Sequence, residues 1–363
     1  MTAPIAISMG DPAGIGPEII AKCWEARVER AVPPFVAVGD ERAIRRVWNG
    51  PTRSIDDVAH TAAAFRDALP VPPVEDAGPI IPGQPDTEGT RCALHSLELA
   101  SGLVRSGAAR ALVTGPVSKS QLYGIGFTYP GQTEFVAERC GIAGENAVMM
   151  LAAPGLRVVP ITTHISLAEV PGALSIDLVI AKGRATARGL RRNFGIEEPR
   201  IVFAGLNPHA GENGALGREE IEILAPAIEL LRGEGVDADG PFAADTLFHP
   251  RARARYDAAL CCYHDQALVP LKTLYFDEGV NITLGLPIVR PSPDHGTAFG
   301  IAGKDCAEPG AMFRRAVARV ALPSESRVVP RQPPHDAVAG DLGHDRGGGD
   351  RERQRIPLDH GAR

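Results

Sequence analysis

The sequence predicts an α/β protein in which helices are layered on a mainly parallel sheet. Two observations carry this. Short apolar runs alternate from the start with longer stretches of helical apolar spacing, and glycine, proline and polar residues gather where the apolar runs end. In chain order, Ile5-Ala6-Ile7-Ser8-Met9 reads as a strand, residues 18–28 as the helix after it, and residues 34–38 as a second strand. Residues 90–106 place Ala93, Leu94, Leu97, Leu99 and Leu103 at roughly helical spacing and lead into the strand Ala111-Leu112-Val113. Further strands are expected at 147–151, 156–162, 200–204 and 258–263, with helices at 176–194 and 219–232. No internal repeat is visible.

At 363 residues, two domains are expected by the rule of roughly 100–200 residues each. The 44% hydrophobic and 23% charged fractions are those of a globular protein, which excludes a disordered chain or a coiled coil. A net charge of -6 without a basic patch argues against nucleic-acid and acidic-membrane partners, and 5% aromatics argues against base stacking. No run approaches the roughly 18 apolar residues of a membrane span, and residues 1–7 lack a leader pattern, so a cytoplasmic location is expected. Six cysteines without a CxxC pair read as reduced, mostly buried thiols. From 322 to 363 there is no aromatic residue and no lysine, but there are clusters such as Pro333-Pro334 and Gly347-Gly348-Gly349, and a disordered tail is expected.

Chemistry collects at the strand ends. Gly10-Asp11-Pro12-Ala13-Gly14-Ile15-Gly16-Pro17-Glu18 has a proline suited to a first helical turn and glycines that permit close backbone approach; it reads as an anion-holding turn or as a merely tight one. It is neither a Walker A loop nor a Rossmann fingerprint. Thr114-Gly115-Pro116-Val117-Ser118-Lys119 offers a lysine and two hydroxyls, either to an anion or to solvent. His164, His209 and His264 each follow an expected strand. Converging at one sheet edge they would suit a catalytic divalent ion, whereas taken singly each reads as an ordinary histidine. Lys272, Asn281 and Arg290 interrupt apolar segments, which suggests an anionic ligand or internal ion pairs. The chain has only five lysines among its 38 basic residues, so Lys272 hints at a need for a titratable amine. The turn His295-Gly296-Thr297-Ala298 opens a small-residue loop that could admit an adenine and ribose, or could be a plain surface turn.

Taken together and in this order, these motifs, with Asn207-Pro208-His209-Ala210-Gly211-Glu212 and His264-Asp265-Gln266, resemble the 4-hydroxythreonine-4-phosphate dehydrogenase family of pyridoxal phosphate biosynthesis. The resemblance covers residues 5–311. It implies a two-domain α/β/α fold like that of the isocitrate and isopropylmalate dehydrogenases, with a cleft between residues 1–130 plus 285–321 and residues 131–284. It implies that His164, His209 and His264 bind a divalent metal (zinc, magnesium or cobalt) in a site completed across a homodimer interface. Gln132, Thr133, Lys272, Asn281 and Arg290 would contact the phosphorylated substrate. Lys272, Asp245 and Asp265 would serve the chemistry, and His295, Gly296, Thr297 and Ala298 would bind NAD or NADP. The implied reaction is metal-dependent oxidation of 4-phosphooxy-L-threonine followed by loss of carbon dioxide, giving 3-amino-2-oxopropyl phosphate.

Three departures stand out. Gln132 occupies a position commonly histidine in the family, Gly300 one that is often aspartate, and the sequence after Phe313 replaces the usual closing helix, as a shifted reading frame near Met312 would. Gln132 keeps open the same chemistry on another phosphorylated hydroxy acid, such as a 4-phospho-threonate or -erythronate. The histidine set and anion loops also fit a metal-dependent hydrolase or transferase.

Overall fold

The computed structural model describes residues 3–74, 76–276, 278–292 and 296–309. Among these, β1 (Ile5–Ser8), β2 (Phe35–Val38), β3 (Thr52–Ser54), β4 (Leu69–Val71) and β5 (Ala111–Thr114) precede β6 (Val148–Ala153), β7 (Leu156–Pro160), β8 (Arg200–Ala204), β9 (Asp237–Phe242), β10 (Ala258–Cys261), β11 (Val280–Leu284) and β12 (Arg290–Ser292).

A first sheet has the order β2-β1-β5, all parallel, with Ile7 beside Ala37 and Val113. Every residue of these strands is buried because both faces are covered, which is why they read as unbroken apolar runs rather than alternating ones. Ile5 and Ile7 pack with Ile19, Trp24 and Phe35 on one face; Ala6 packs with Val36, Leu97, Leu112 and Phe135 on the other. The helix Thr87–Arg105 is capped by Asp86, whose carboxylate accepts from Gly89 N (2.7 Å). Its buried Ser96 accepts from Met9 N (3.0 Å), fixing the helix against the end of β1. β3 and β4 form a separate parallel pair.

The larger sheet has the order β12-β11-β6-β7-β10-β8-β9 among the described residues. β7, β10, β8 and β9 are parallel, while β6, β11 and β12 add antiparallel strands on one side. Val159, Ile180, Leu190, Phe203, Leu231 and Leu260 fill one face; Leu151, Val158, Ala259, Leu268 and Leu271 fill the other. The helix Ile176–Phe194 starts at Ser175, which accepts from Leu178 N (3.2 Å), and stops at Gly195 in the left-handed conformation (φ 65°). The two sheets touch where Leu112 N donates to Val289 O (3.0 Å).

The predicted α/β class is observed, and the strands expected at 147–151, 156–162, 200–204 and 258–263 are β6, β7, β8 and β10. The helix expected at 219–232 is a π-helical turn, Glu220–Leu224, followed by the α-helix Ala225–Gly233. Residues 267–290, read as apolar segments interrupted by polar residues and given no secondary structure, lie in the helix His264–Tyr275, which tolerates Pro270, and in β11 and the start of β12. β9 escaped notice because Asp-Ala-Asp-Gly-Pro-Phe is a poor strand by composition, and it survives as an edge strand. Cys23, Cys92, Cys261 and Cys262 are buried, Cys140 is half-buried and Cys306 is exposed; all six are free thiols. No helix of the described residues is long and apolar enough to cross a membrane. Residues 322–363 and His295 lie outside the described residues.

Candidate functional site

Arg290 is the centre of the first constellation. It is 3% exposed, and its Nη1 donates to Thr133 Oγ1 (2.8 Å) and Thr283 Oγ1 (2.9 Å) while Nη2 donates to Thr114 Oγ1 (3.1 Å). Thr283 faces Arg290 across the β11–β12 pair, Thr114 ends β5, and Thr133 lies in the first turn of the helix Gln132–Arg139. All three partners are neutral hydroxyls, and Nε has no partner. Burial pulls the guanidinium down to about 10, with the charge of Glu134 acting the other way, so it stays protonated at neutral pH. Among the described residues this buried cation is hydrogen-bonded to neutral groups, a setting whose chemistry suits an anion.

Gln132 extends this pocket. Its Nε2 donates to Gly115 O (3.1 Å), and its buried Oε1 has no partner. The Lys119 amine lies beside Gly131, where a Cβ would stand 3.7 Å from Nζ. Asn281, half-buried, precedes Thr283 by two residues in β11 and so shares its face of the sheet. Lys272 is half-buried on the helix His264–Tyr275, two turns beyond His264.

The loop of residues 10–16 is threaded against this pocket. Asp11 N donates to Pro116 O (3.0 Å), and a Cβ on Gly10 (φ 75°) would sit 2.3 Å from that same oxygen. Asp11 is 2% exposed; burial pushes its carboxyl up to about 6, Ala13 N–H (2.9 Å) opposes the shift, and Asp86 adds to it. On its other side the loop meets the expected dinucleotide turn: Ile15 N donates to Thr297 O (3.0 Å), and Gly83 N to Ala13 O (2.7 Å). Ala298 is left-handed (φ 45°), and a Cβ on Gly296 or Gly300 would meet nothing within 4 Å, so this turn borders open space.

The three histidines stand along one edge. In the parallel set β7-β10-β8, His164 follows β7, His264 follows β10 and His209 follows β8; Asp245 follows β9 next in line. Strand order therefore brings residues far apart in sequence to the same carboxyl edge. The His164 and His264 rings have centroids 5.6 Å apart. His264 Nδ1 is 2.7 Å from Asp265 Oδ1, which leaves Nε2 to face a ligand. Among the described residues no three His, Cys, Asp or Glu side chains close into a metal-holding group, so His164 and His264 form a pair and His209 stands on the neighbouring loop. Gln266, quoted in a motif but given no role, straps the edge: its Oε1 accepts from Cys262 N (2.6 Å) and its Nε2 donates to Gly205 O (2.8 Å). Thr283 was likewise given no role, since only its contact with Arg290 marks it, whereas the Thr114 hydroxyl was among those offered to an anion.

The fold defines an α/β protein with a buried arginine and a row of imidazoles at the ends of its strands. The chain belongs to the family described as pyridoxal phosphate biosynthetic protein PdxA, whose model matches residues 31–319. A 4-hydroxythreonine-4-phosphate dehydrogenase of Zymomonas mobilis is 55% identical over 314 residues, covering 86% of this chain and 94% of that protein. A crystal structure of 4-hydroxythreonine-4-phosphate dehydrogenase from Klebsiella pneumoniae superposes with a TM-score of 0.80 at 38% identity, covering 88% of this chain and 97% of that one. A terephthalate 1,2-cis-dihydrodiol dehydrogenase from Burkholderia xenovorans is also similar, with a TM-score of 0.62 at 30% identity over 85% of this chain and 94% of that one.

Proposed function

We propose that this enzyme oxidises the secondary alcohol of 4-phosphooxy-L-threonine with NAD or NADP, forming a β-keto acid that loses carbon dioxide to give 3-amino-2-oxopropyl phosphate. The observation that carries the reading is Arg290, a buried cation ringed by Thr114, Thr133 and Thr283 with an unpartnered Nε. A phosphate dianion satisfies that Nε and neutralises the charge, and Gln132, Asn281 and Lys119 border the same pocket.

The imidazole edge fits a divalent cation (zinc, magnesium or cobalt). His164 and His264 are adjacent imidazole donors, and Asp265 orients the second of them, with His209 as the further ligand. Bound there, such a cation lowers the pKa of a substrate hydroxyl. Lys272 assists, either by taking the hydroxyl proton or by stabilising the charge that develops, while Asp245 and Asp265 hold polar order around the histidines. The turn at residues 295–298 takes the adenosine half of the dinucleotide, since Gly296 and Gly300 leave room for a planar ring. In this reading residues 1–130 with 285–321 make one domain and residues 131–284 the other, with β12 (Arg290–Ser292) reaching from the first range into the larger sheet. A cytoplasmic homodimer that completes the site across its interface is part of the same reading.

The test is an assay of reduced nicotinamide formed from 4-phosphooxy-L-threonine, with both dinucleotides and a panel of divalent cations. The variant His209→Ala is expected to lose bound metal and at least a hundredfold in kcat. Unchanged metal content and turnover would sink the metal role. Gln132, uncharged and with a free Oε1, supports a second reading in which a 4-phospho-threonate or -erythronate is the substrate. A higher kcat/KM for either compound would decide for it.

A further inference from the structure

We propose that Glu220 is a positioning residue for His209, acting through the backbone of the loop between them; this rests on the reading of His209 as a metal ligand. After β8 the chain enters a run of five left-handed residues, 209–213, with φ of 52°, 51°, 81°, 44° and 54°. Four of them are not glycine, and each such residue is strained by roughly 1–2 kcal/mol. A run of this kind persists only where its surroundings over-determine it.

Glu220 supplies that constraint. It is 3% exposed and opens the π-helical turn Glu220–Leu224. Its Oε1 accepts from Asn207 N (2.8 Å) and its Oε2 from Asn207 Nδ2 (3.0 Å), while Glu219 Oε2 takes the same amide at 2.7 Å. A Cβ on Gly211 would stand 2.6 Å from Glu220 Oε2, and one on Gly205 would stand 3.1 Å from Oε1. The loop thus closes on the carboxylate from both sides, two residues before and two residues after His209. A buried carboxylate that meets only neutral donors is a poor device for stability, because its desolvation goes largely uncompensated. It is a good device for geometry: two fixed acceptors set where Asn207, and hence His209, leaves the strand.

The test compares Glu220→Gln and Glu220→Asp with the wild type and with His209→Ala, using Co2+ alone as the probe. Gln keeps the volume but turns an NH2 toward the Asn207 amide; Asp keeps the charge but withdraws it by one methylene. Both variants are expected to weaken Co2+ binding at least tenfold and to alter its visible absorption, with KM for the dinucleotide unchanged. Wild-type Co2+ affinity and spectrum in both variants, alongside lost binding in His209→Ala, would overturn the role of Glu220 alone. Unchanged Co2+ binding in His209→Ala would overturn the metal reading and this proposal with it. If Glu220→Gln does not fold, the spectrum of Glu220→Asp gives the same decision.

Discussion

Arg290 and Asp11 are single buried ionisable side chains whose burial costs stability. Arg290 is buried with hydroxyl partners only, so replacing it with the apolar, similarly long methionine removes a desolvated charge. Arg290→Met is expected to melt no lower than the wild type while KM for the phosphorylated substrate rises about a hundredfold, as losing about 3 kcal/mol of charge-assisted bonding implies. A lower melting temperature with unchanged KM would make Arg290 a purely structural residue. Asp11 titrates near 6 when folded and near 3.8 when unfolded. Between those values the unfolded chain has released the proton and the folded one still holds it. Stability therefore falls as pH rises from about 4 to about 6, and above 6 it stays reduced by up to roughly 3 kcal/mol. Asp11→Asn keeps an acceptor for Ala13 N and removes the penalty. It should raise the melting temperature at pH 8 and leave it unchanged at pH 4; an equal shift at both would contradict the assignment.

The turn after β1 depends on backbone that favours glycine. At Gly10 the chain is left-handed, and an added Cβ would press on Pro116 O. Gly10→Ala is expected to lower the urea midpoint by the equivalent of about 2 kcal/mol or more and to weaken binding of the phosphorylated substrate, because it pushes the 114–119 loop away from Arg290. A midpoint within error of the wild type would show that the two loops are not coupled. These elements were unevenly legible in the sequence. β1, β7, β8 and β10 were visible as apolar runs because burial on both faces leaves no polar alternation to confuse the period. The helix Ile176–Phe194 was visible from its sequence at its full length, and the structure adds its Ser175 cap and Gly195 stop. β9 and β12 were not, since short edge strands with proline carry little apolar signal.

For the molecule as a whole, dinucleotide binding to the folded form must shift the folding equilibrium. At a hundred times Kd, NAD or NADP should add about 2.7 kcal/mol and raise the melting temperature by a few degrees. No shift with either dinucleotide would remove the role given to residues 295–298. The α/β class and the motifs at the strand ends were readable along the chain, because apolar period and turn glycines are local properties. Which of those residues meet was not. Arg290 finds Thr133 and Thr114 across 157 and 176 residues of sequence, and the histidines share an edge only because β7, β10 and β8 are parallel neighbours. Asn207 and Glu220 likewise became visible as partners only in the folded loop. Such meetings follow from strand order and crossover packing, which no window of sequence contains, and they convert scattered polar residues into one anion pocket and one imidazole edge.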